Sequence, residues 1–180
     1  MRKALYVLGI LNDSDIDWLS QNGTSRFLEP GNVIIVQGKP VDTLFIVLSG
    51  ELQVYSKDVE VARLQSGEIV GEISFVDSRP PLASVKALAN SNVFAIGAEA
   101  LRTKLARDSS FASRFYRAVA VFLADRLRVT TSRFGYGGAG QDASKLEDPD
   151  EVHPELLDSI DLAATRFDKL LRRISASTAG

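Results

Sequence analysis

The sequence has no cysteine and a single histidine, His153, in 180 residues. Without cysteine there is no disulfide framework, no thiol nucleophile and no zinc–thiolate site. One histidine excludes a multi-histidine metal centre, and nothing else suggests a metal or a resident cofactor. Charge of one sign is also lacking: 21 Lys+Arg stand against 23 Asp+Glu, a net of -2, so there is no global electrostatic case for binding nucleic acid. No apolar run approaches the ~18 residues of a membrane span. Met1-Arg2-Lys3 and the apolar run Ala4 to Leu11 look like the front of a secretory signal, but Asn12-Asp13-Ser14-Asp15 follows with no small-residue cleavage site. That run is assigned to the domain's own core, and the protein to the cytoplasm.

What is present is 45% apolar residues, ordinary for a globular chain, and length for one domain with a helical extension. Ser14 is placed to cap a short helix in which Ile16 and Leu19 face inward, and Gly23 stops it. The punctuation then becomes that of a β protein. Pro30-Gly31, Gly38, Gly50 and Gly67 divide short strands at Val33 to Val36, Leu44 to Leu48, Leu52 to Tyr55 and Val59 to Leu64. Two more, Ser84 to Ala89 and Val93 to Ile96, flank Asn90-Ser91-Asn92. The expected fold is mainly β with flanking helices: an antiparallel β-roll or jelly roll.

From Ala98 the period becomes helical. Residues 98–106 form a short helix, and Asp108 or Ser109 caps a longer one with Phe111, Phe115, Val119, Phe122 and Leu127 on one apolar face. Gly135-Tyr136-Gly137-Gly138-Ala139-Gly140 formally matches G-x-G-x-x-G. It follows a helix and opens an acidic stretch, so it is a linker and not a dinucleotide fingerprint. A last amphipathic helix starts near Pro154, with Lys169, Arg172 and Arg173 suited to the negative end of its dipole. The domain division is 1–134 for the roll with its helices, 135–151 for the linker and 152–174 for the C-terminal helix. Arginines crowd the two helices after the roll, whereas Asp142 to Asp161 supply acid. Two readings are open: solvated faces, or an acidic tail docked on basic helices.

Gly71-Glu72-Ile73-Ser74-Phe75-Val76-Asp77 sits among strands without alternating and reads as one inserted helical turn. Pro80-Pro81-Leu82-Ala83-Ser84 follows. Backbone N–H groups at such a turn offer an anion site, and Glu72 beside it could accept hydrogen bonds from ligand hydroxyls. Equally, Glu72 could cap a turn and the prolines stiffen a loop. No catalytic constellation is visible: Ser74 lacks a G-x-S-x-G context, and Glu72 with Asp77 has no partner chemistry.

Pro30-Gly31, Val33-Ile34, Gly38, Asp42-x-x-Phe45-x-Val47-x-x-Gly50 and the Gly71–Ser74 plus Ala83-Ser84-Val85 cassette together resemble the cyclic nucleotide-binding domain family, over roughly residues 10–130. The likeness is to its bacterial stand-alone members, without a helix-turn-helix. The resemblance implies that Glu72 accepts the ribose 2′-hydroxyl. The N–H groups of Leu82 and Ala83 would hold the cyclic phosphate, Ser84 would offer a hydroxyl, and Gly71 would let the backbone approach. Ile73 and Ser74 complete the cassette. The family's phosphate-binding arginine falls at Pro81, which has neither charge nor N–H. Losing a charge-assisted bond of about 1.5–3 kcal/mol weakens a site roughly 10- to 100-fold. Arg79 is the nearest substitute, separated by the rigid Pro80-Pro81. The function implied is a non-catalytic regulatory module, taking cyclic AMP, cyclic GMP or another small anionic ligand and signalling through its C-terminal helices. The alternative is a ligand-free interaction module. The helices would pair two chains or meet a protein partner. Direct DNA binding is not expected, because after Phe134 only one convincing helix remains and a recognition unit needs two, and no membrane partner is expected.

Overall fold

Asn12, and not Ser14, begins the first helix. In the computed structural model, which describes residues 9–135 and 154–177, α1 runs over Asp13–Asn22. Asn12 is the extended residue: its Oδ1 accepts the Asp15 N–H at 2.9 Å, and Asp15 Oδ2 accepts the Asn12 N–H at 2.8 Å. Ser14 lies inside the first turn and donates its hydroxyl to Asn12 Oδ1. Gly23 ends the helix as expected, for a different reason. Its backbone is extended, but a Cβ there would lie 2.1 Å from the Phe94 ring.

Eight strands follow: β1 Gly23–Leu28, β2 Val33–Ile35, β3 Thr43–Ser49, β4 Glu51–Ser56, β5 Val59–Gln65, β6 Ile69–Val70, β7 Ser84–Ala87 and β8 Ser91–Gly97. They form two four-stranded antiparallel sheets, β1-β8-β3-β6 and β2-β7-β4-β5. The jelly-roll expectation holds. Six strands fall where short apolar runs and turn residues place them. β1 and β6 are additional. β1 buries only Leu28 at its end and shows no alternation, and β6 has two residues. Both are fixed by partners: β1 pairs along β8 from Gly23↔Ile96 to Leu28↔Ser91, and β6 pairs with β3.

β3 is apolar on both faces because successive side chains point to opposite sides of the sheet. Leu44, Ile46 and Leu48 face a core shared with the helices. Phe45 and Val47 face the second sheet. The cassette helix α2 spans Glu72–Asp77, then α3 Ala98–Arg107, α4 Ser109–Gly135 and α5 Pro154–Ser177. Asp108 Oδ1 accepts the Phe111 N–H and so caps α4. On α4, Phe111, Phe115, Val119 and Phe122 are buried, but Leu127 is exposed, so the apolar face ends sooner than its spacing suggests.

The apolar run Ala4 to Leu11 is described only from Gly9. Leu11 is buried there, with Ile10 against the core. The expected linker, apart from Gly135, lies outside the described residues, as does His153. α5 folds back: Leu170 has no exposed surface and shares the helical core with Phe111 and Leu19. Its charge pairing runs opposite to the acidic-tail reading, whose residues lie outside the described side chains. Basic groups of α5 meet acids of α1. Lys169 Nζ and Arg173 Nη1 lie 2.9 and 3.0 Å from Asp17 Oδ1, and Arg166 Nε lies 3.1 Å from Asp13 Oδ1. Lys169 and Arg173, expected to answer the helix dipole, serve as docking cations. Among the described residues no helix is long and apolar enough to cross a membrane.

Candidate functional site

Gly71 ends β6 with φ +93°, a left-handed turn that swings the chain into α2. A Cβ at this position would lie 2.9 Å from the Thr43 carbonyl oxygen, so β3 and the turn touch backbone to backbone. The turn drops Glu72 inward, to 2% exposure, and Ser74 beside it to 7%. Ile73, between them on the helix, points out and is half-exposed. Together with the 79–83 loop, α2 covers a cavity of about 340 Å³. Its floor is the second sheet, with Ile35, Val54 and Val85, closed by Val70 of β6.

Of the residues singled out from the sequence, Gly71, Glu72, Ile73, Ser74, Arg79, Pro81, Leu82 and Ala83 all line this cavity. Ser84 does not. It is buried under the loop, where its Oγ accepts the Gln37 N–H at 2.9 Å. Pro81 sits in the wall, its carbonyl accepting the Gly38 N–H at 2.9 Å. Arg79 is exposed at the rim, and its backbone N–H donates to Asp77 Oδ1. Leu82 is 87% exposed at the mouth. Ser74 Oγ has no hydrogen-bond partner among the described residues.

Glu72 is already engaged. Arg126 Nη1, from α4, donates to Glu72 Oε1 at 2.8 Å and lines the cavity itself. Burial pushes the Glu72 carboxyl above the usual carboxylate range. The charge of Arg126 and the Glu72 and Ile73 backbone N–H groups oppose that rise without cancelling it. A second arginine holds the other end of the cassette helix. Arg102 of α3 donates from Nη2 to the Phe75 carbonyl at 2.9 Å, and its guanidinium lies 4.6 Å from the Phe75 ring centroid. The Phe75 ring meets Phe115 of α4 edge-on at 5.8 Å. Every end of α2 is thus tied to the helices that follow the roll.

Sequence reasoning missed Arg126 and Arg102 as site residues. The signal for Arg126 was present. Phe111, Phe115 and Phe122 set a buried stripe, and Arg126 is the next position on it, one turn after Phe122. A charged residue continuing an apolar stripe needs a buried partner.

Comparison with known proteins agrees with this architecture. Residues 25–108 match the family model described as "Cyclic nucleotide-binding domain". A cAMP-dependent protein kinase regulatory subunit of Yarrowia lipolytica is 30% identical over 105 residues, which are 57% of this chain and 28% of that protein. A cGMP-dependent protein kinase of Eimeria tenella is 32% identical over 82 residues, 46% of this chain and 8% of that one. The chain therefore spans less than a third of the length of these relatives. A cyclic nucleotide-binding domain from Methylobacillus flagellatus superposes with a TM-score of 0.69 at 20% identity, covering 77% of this chain and 84% of that one. The N-terminal domain of a transcriptional regulator from Streptomyces coelicolor superposes at 0.55 with 26% identity, covering 74% and 92%. In sequence and in the antiparallel roll with its flanking helices, residues 25–108 of this chain match the cyclic nucleotide-binding domain family.

Proposed function

We propose that the chain is a sensor in which occupancy of the cassette cavity is passed to α4 and α5. The observation that carries this is Arg126, which belongs to α4, pairs with the cassette's Glu72 and lines the cavity at once. A ligand touching that residue necessarily has different contacts in each arrangement of α4, and a ligand shifts an equilibrium by that difference. The ligand class the family implies is cyclic AMP or cyclic GMP. Supporting it, eight of the nine cassette residues surround one cavity of suitable size. The output is a protein partner or a second copy in the cytoplasm, not DNA. Pairing of chains through α4 would use its outward Tyr116 and Leu127, because Phe111 to Phe122 are in the core.

Hydrogen exchange on the full chain tests the coupling. Arg126→Ala should raise exchange in α4 around residues 119–131, and a bound ligand should change the same segment. Unchanged exchange in both cases removes the sensor reading. A second reading, a ligand-free interaction module, is favoured by Pro81 in the cavity wall. Thermal shifts near zero with cyclic AMP and cyclic GMP would favour it further, since binding to the native state alone must stabilise it.

A further inference from the structure

A second, smaller cavity of about 200 Å³ opens at the edge of the sandwich, lined by β1 of one sheet and β2 of the other. We propose that it is an accessory site for a small monocarboxylate with an apolar body, held by Arg26 and Lys39. The cassette's own ligand plays no part in this site.

The strand register sets Arg26 in an unusual place. It stands opposite Val93 of β8, which stands opposite Val47 of β3. Residues directly opposite share a face, and Val93 and Val47 belong to the core between the sheets. Arg26 therefore points inward, and its guanidinium carbon lies 6.0 Å from the centroid of the buried Phe45 ring. Lys39 lines the same cavity from a loop fixed on both sides. The Val36 carbonyl accepts the Lys39 N–H at 3.1 Å, and the Asp42 carbonyl accepts the Ala98 N–H at 2.7 Å.

Among the described residues no carboxylate pairs with Arg26 or Lys39. Both are exposed, so an anion reaches them without displacing a protein partner. Asp42 is the acid of the lining, and its Oδ1 already accepts the Thr43 hydroxyl at 2.8 Å. Two cations against one carboxylate leave a single positive charge, which a monoanion balances and a phosphate dianion does not. The guanidinium fork matches the two oxygens of a carboxylate. Behind it, Ile35 and Phe45 form a buried apolar floor, with half-buried Val41 at the side. Such a floor takes a ring or a short chain, and the cavity is smaller than the 340 Å³ of the cassette.

The two cavities share a wall. Ile35 lines both, and a Cβ on Gly71 would lie 2.9 Å from the Thr43 carbonyl oxygen and 3.3 Å from Val41 Cγ1. An occupant pressed on Ile35 and Val41 steadies the turn that sets Glu72.

An inward arginine also keeps an edge strand from pairing with other chains. That role requires neither Lys39 nor the apolar floor, and the test separates the two. The full chain is titrated by calorimetry with benzoate, with benzyl alcohol as the same body without charge, and with acetate as the charge without the body. Hydrogen exchange maps the benzoate complex. We expect benzoate to bind at least about 10-fold more tightly than either control, with exchange lowered at residues 34–45 and at 71–77. Arg26→Gln should weaken benzoate about 10-fold, with Arg26→Lys between the two. Lys39→Gln, on an exposed loop, should weaken it by a smaller factor and carries the test if circular dichroism shows that Arg26→Gln is unfolded. No binding of benzoate, or equal binding of benzyl alcohol, overturns the site. Benzoate weakened by Arg126→Ala but by neither Arg26→Gln nor Lys39→Gln sits in the cassette cavity and overturns it too. A fall in exchange confined to residues 34–45 removes the link to the cassette turn and leaves the site.

Discussion

Arg126 Nη1 donates to Glu72 Oε1 at 2.8 Å, across 54 positions of the chain. The pair couples the cassette to α4, and it also makes stability depend on pH. Burial raises the Glu72 carboxyl, so between its unfolded value near 4.5 and its higher folded value the native state holds more protons than the unfolded state. Stability therefore falls as pH rises through that window. Arg126→Ala removes the opposing charge and extends the window upward. We expect it to cost about 1–3 kcal/mol at neutral pH, less than for a fully buried pair because the arginine side chain is 31% exposed. Urea unfolding at pH 5 and pH 7.5 checks this: the deficit of the variant should be larger at the higher pH. An equal deficit at both would show that Glu72 stays ionised without Arg126.

Asp15 holds two elements together. Its carboxylate accepts Arg114 Nε at 2.6 Å and Nη2 at 2.8 Å, and it also closes the capping box with Asn12. Asp15→Ala loses the ion pair and one half of the capping box, whereas Arg114→Ala spares the cap but strands a carboxylate that is 3% exposed. The arginine substitution should therefore be the costlier of the two, by about 1 kcal/mol or more. Denaturation midpoints of the two variants at neutral pH measure the difference, and an aspartate variant less stable than the arginine one would show that the cap outweighs the stranded charge.

The roll was legible because β2 to β5, β7 and β8 are short apolar runs bounded by turn residues. β1 was not, since Thr24, Ser25 and Arg26 are held by β8 and not by their own pattern. The cassette was legible as Gly71-Glu72-Ile73-Ser74, because left-handed glycine and an inward carboxylate are local features. What those residues touch was not. Ser84 turned to Gln37, and Glu72 to Arg126, through contacts 47 and 54 positions apart. Docking of an acidic tail was one of two open readings and its acids lie outside the described side chains; the described contacts of α5 with α1 use Arg166, Lys169 and Arg173. Acids and bases alternate round that helix, and only the position of Leu170 in the core fixes which face turns inward.

Gly71→Ala tests how the cassette is set. The substitution forces a side chain into φ +93° and places a Cβ 2.9 Å from the Thr43 carbonyl. The backbone alone costs about 1–2 kcal/mol, and β3 must give way further. Thermal unfolding should show a loss of at least that size. Because the strain lies at the first residue before Glu72, hydrogen exchange at residues 72–77 should rise more than in β4. Uniform change across the roll would mean that the turn does not set the helix.

The attachment of α5 should weaken in acid and in salt. Asp13 is an exposed acid held below the usual carboxylate range, first by its hydrogen bond from Arg166 and then by the charge of Lys169. Its folded value lies below the unfolded 3.8, so its contribution is present above that value and is lost as pH falls through the folded value. Salt screens the same groups, since exposed pairs beyond a few ångströms lose most of their attraction at about 1 M. Against this, Leu170 is fully buried, and its apolar contribution of about 2 kcal/mol is indifferent to both. Exchange at residues 162–173 should therefore rise in acid or high salt while α5 stays attached. Leu170→Ala should lower the threshold, so that acid or salt then releases the helix entirely. If high salt leaves exchange in α5 unchanged in both proteins, the Asp13 and Asp17 contacts do not contribute to docking.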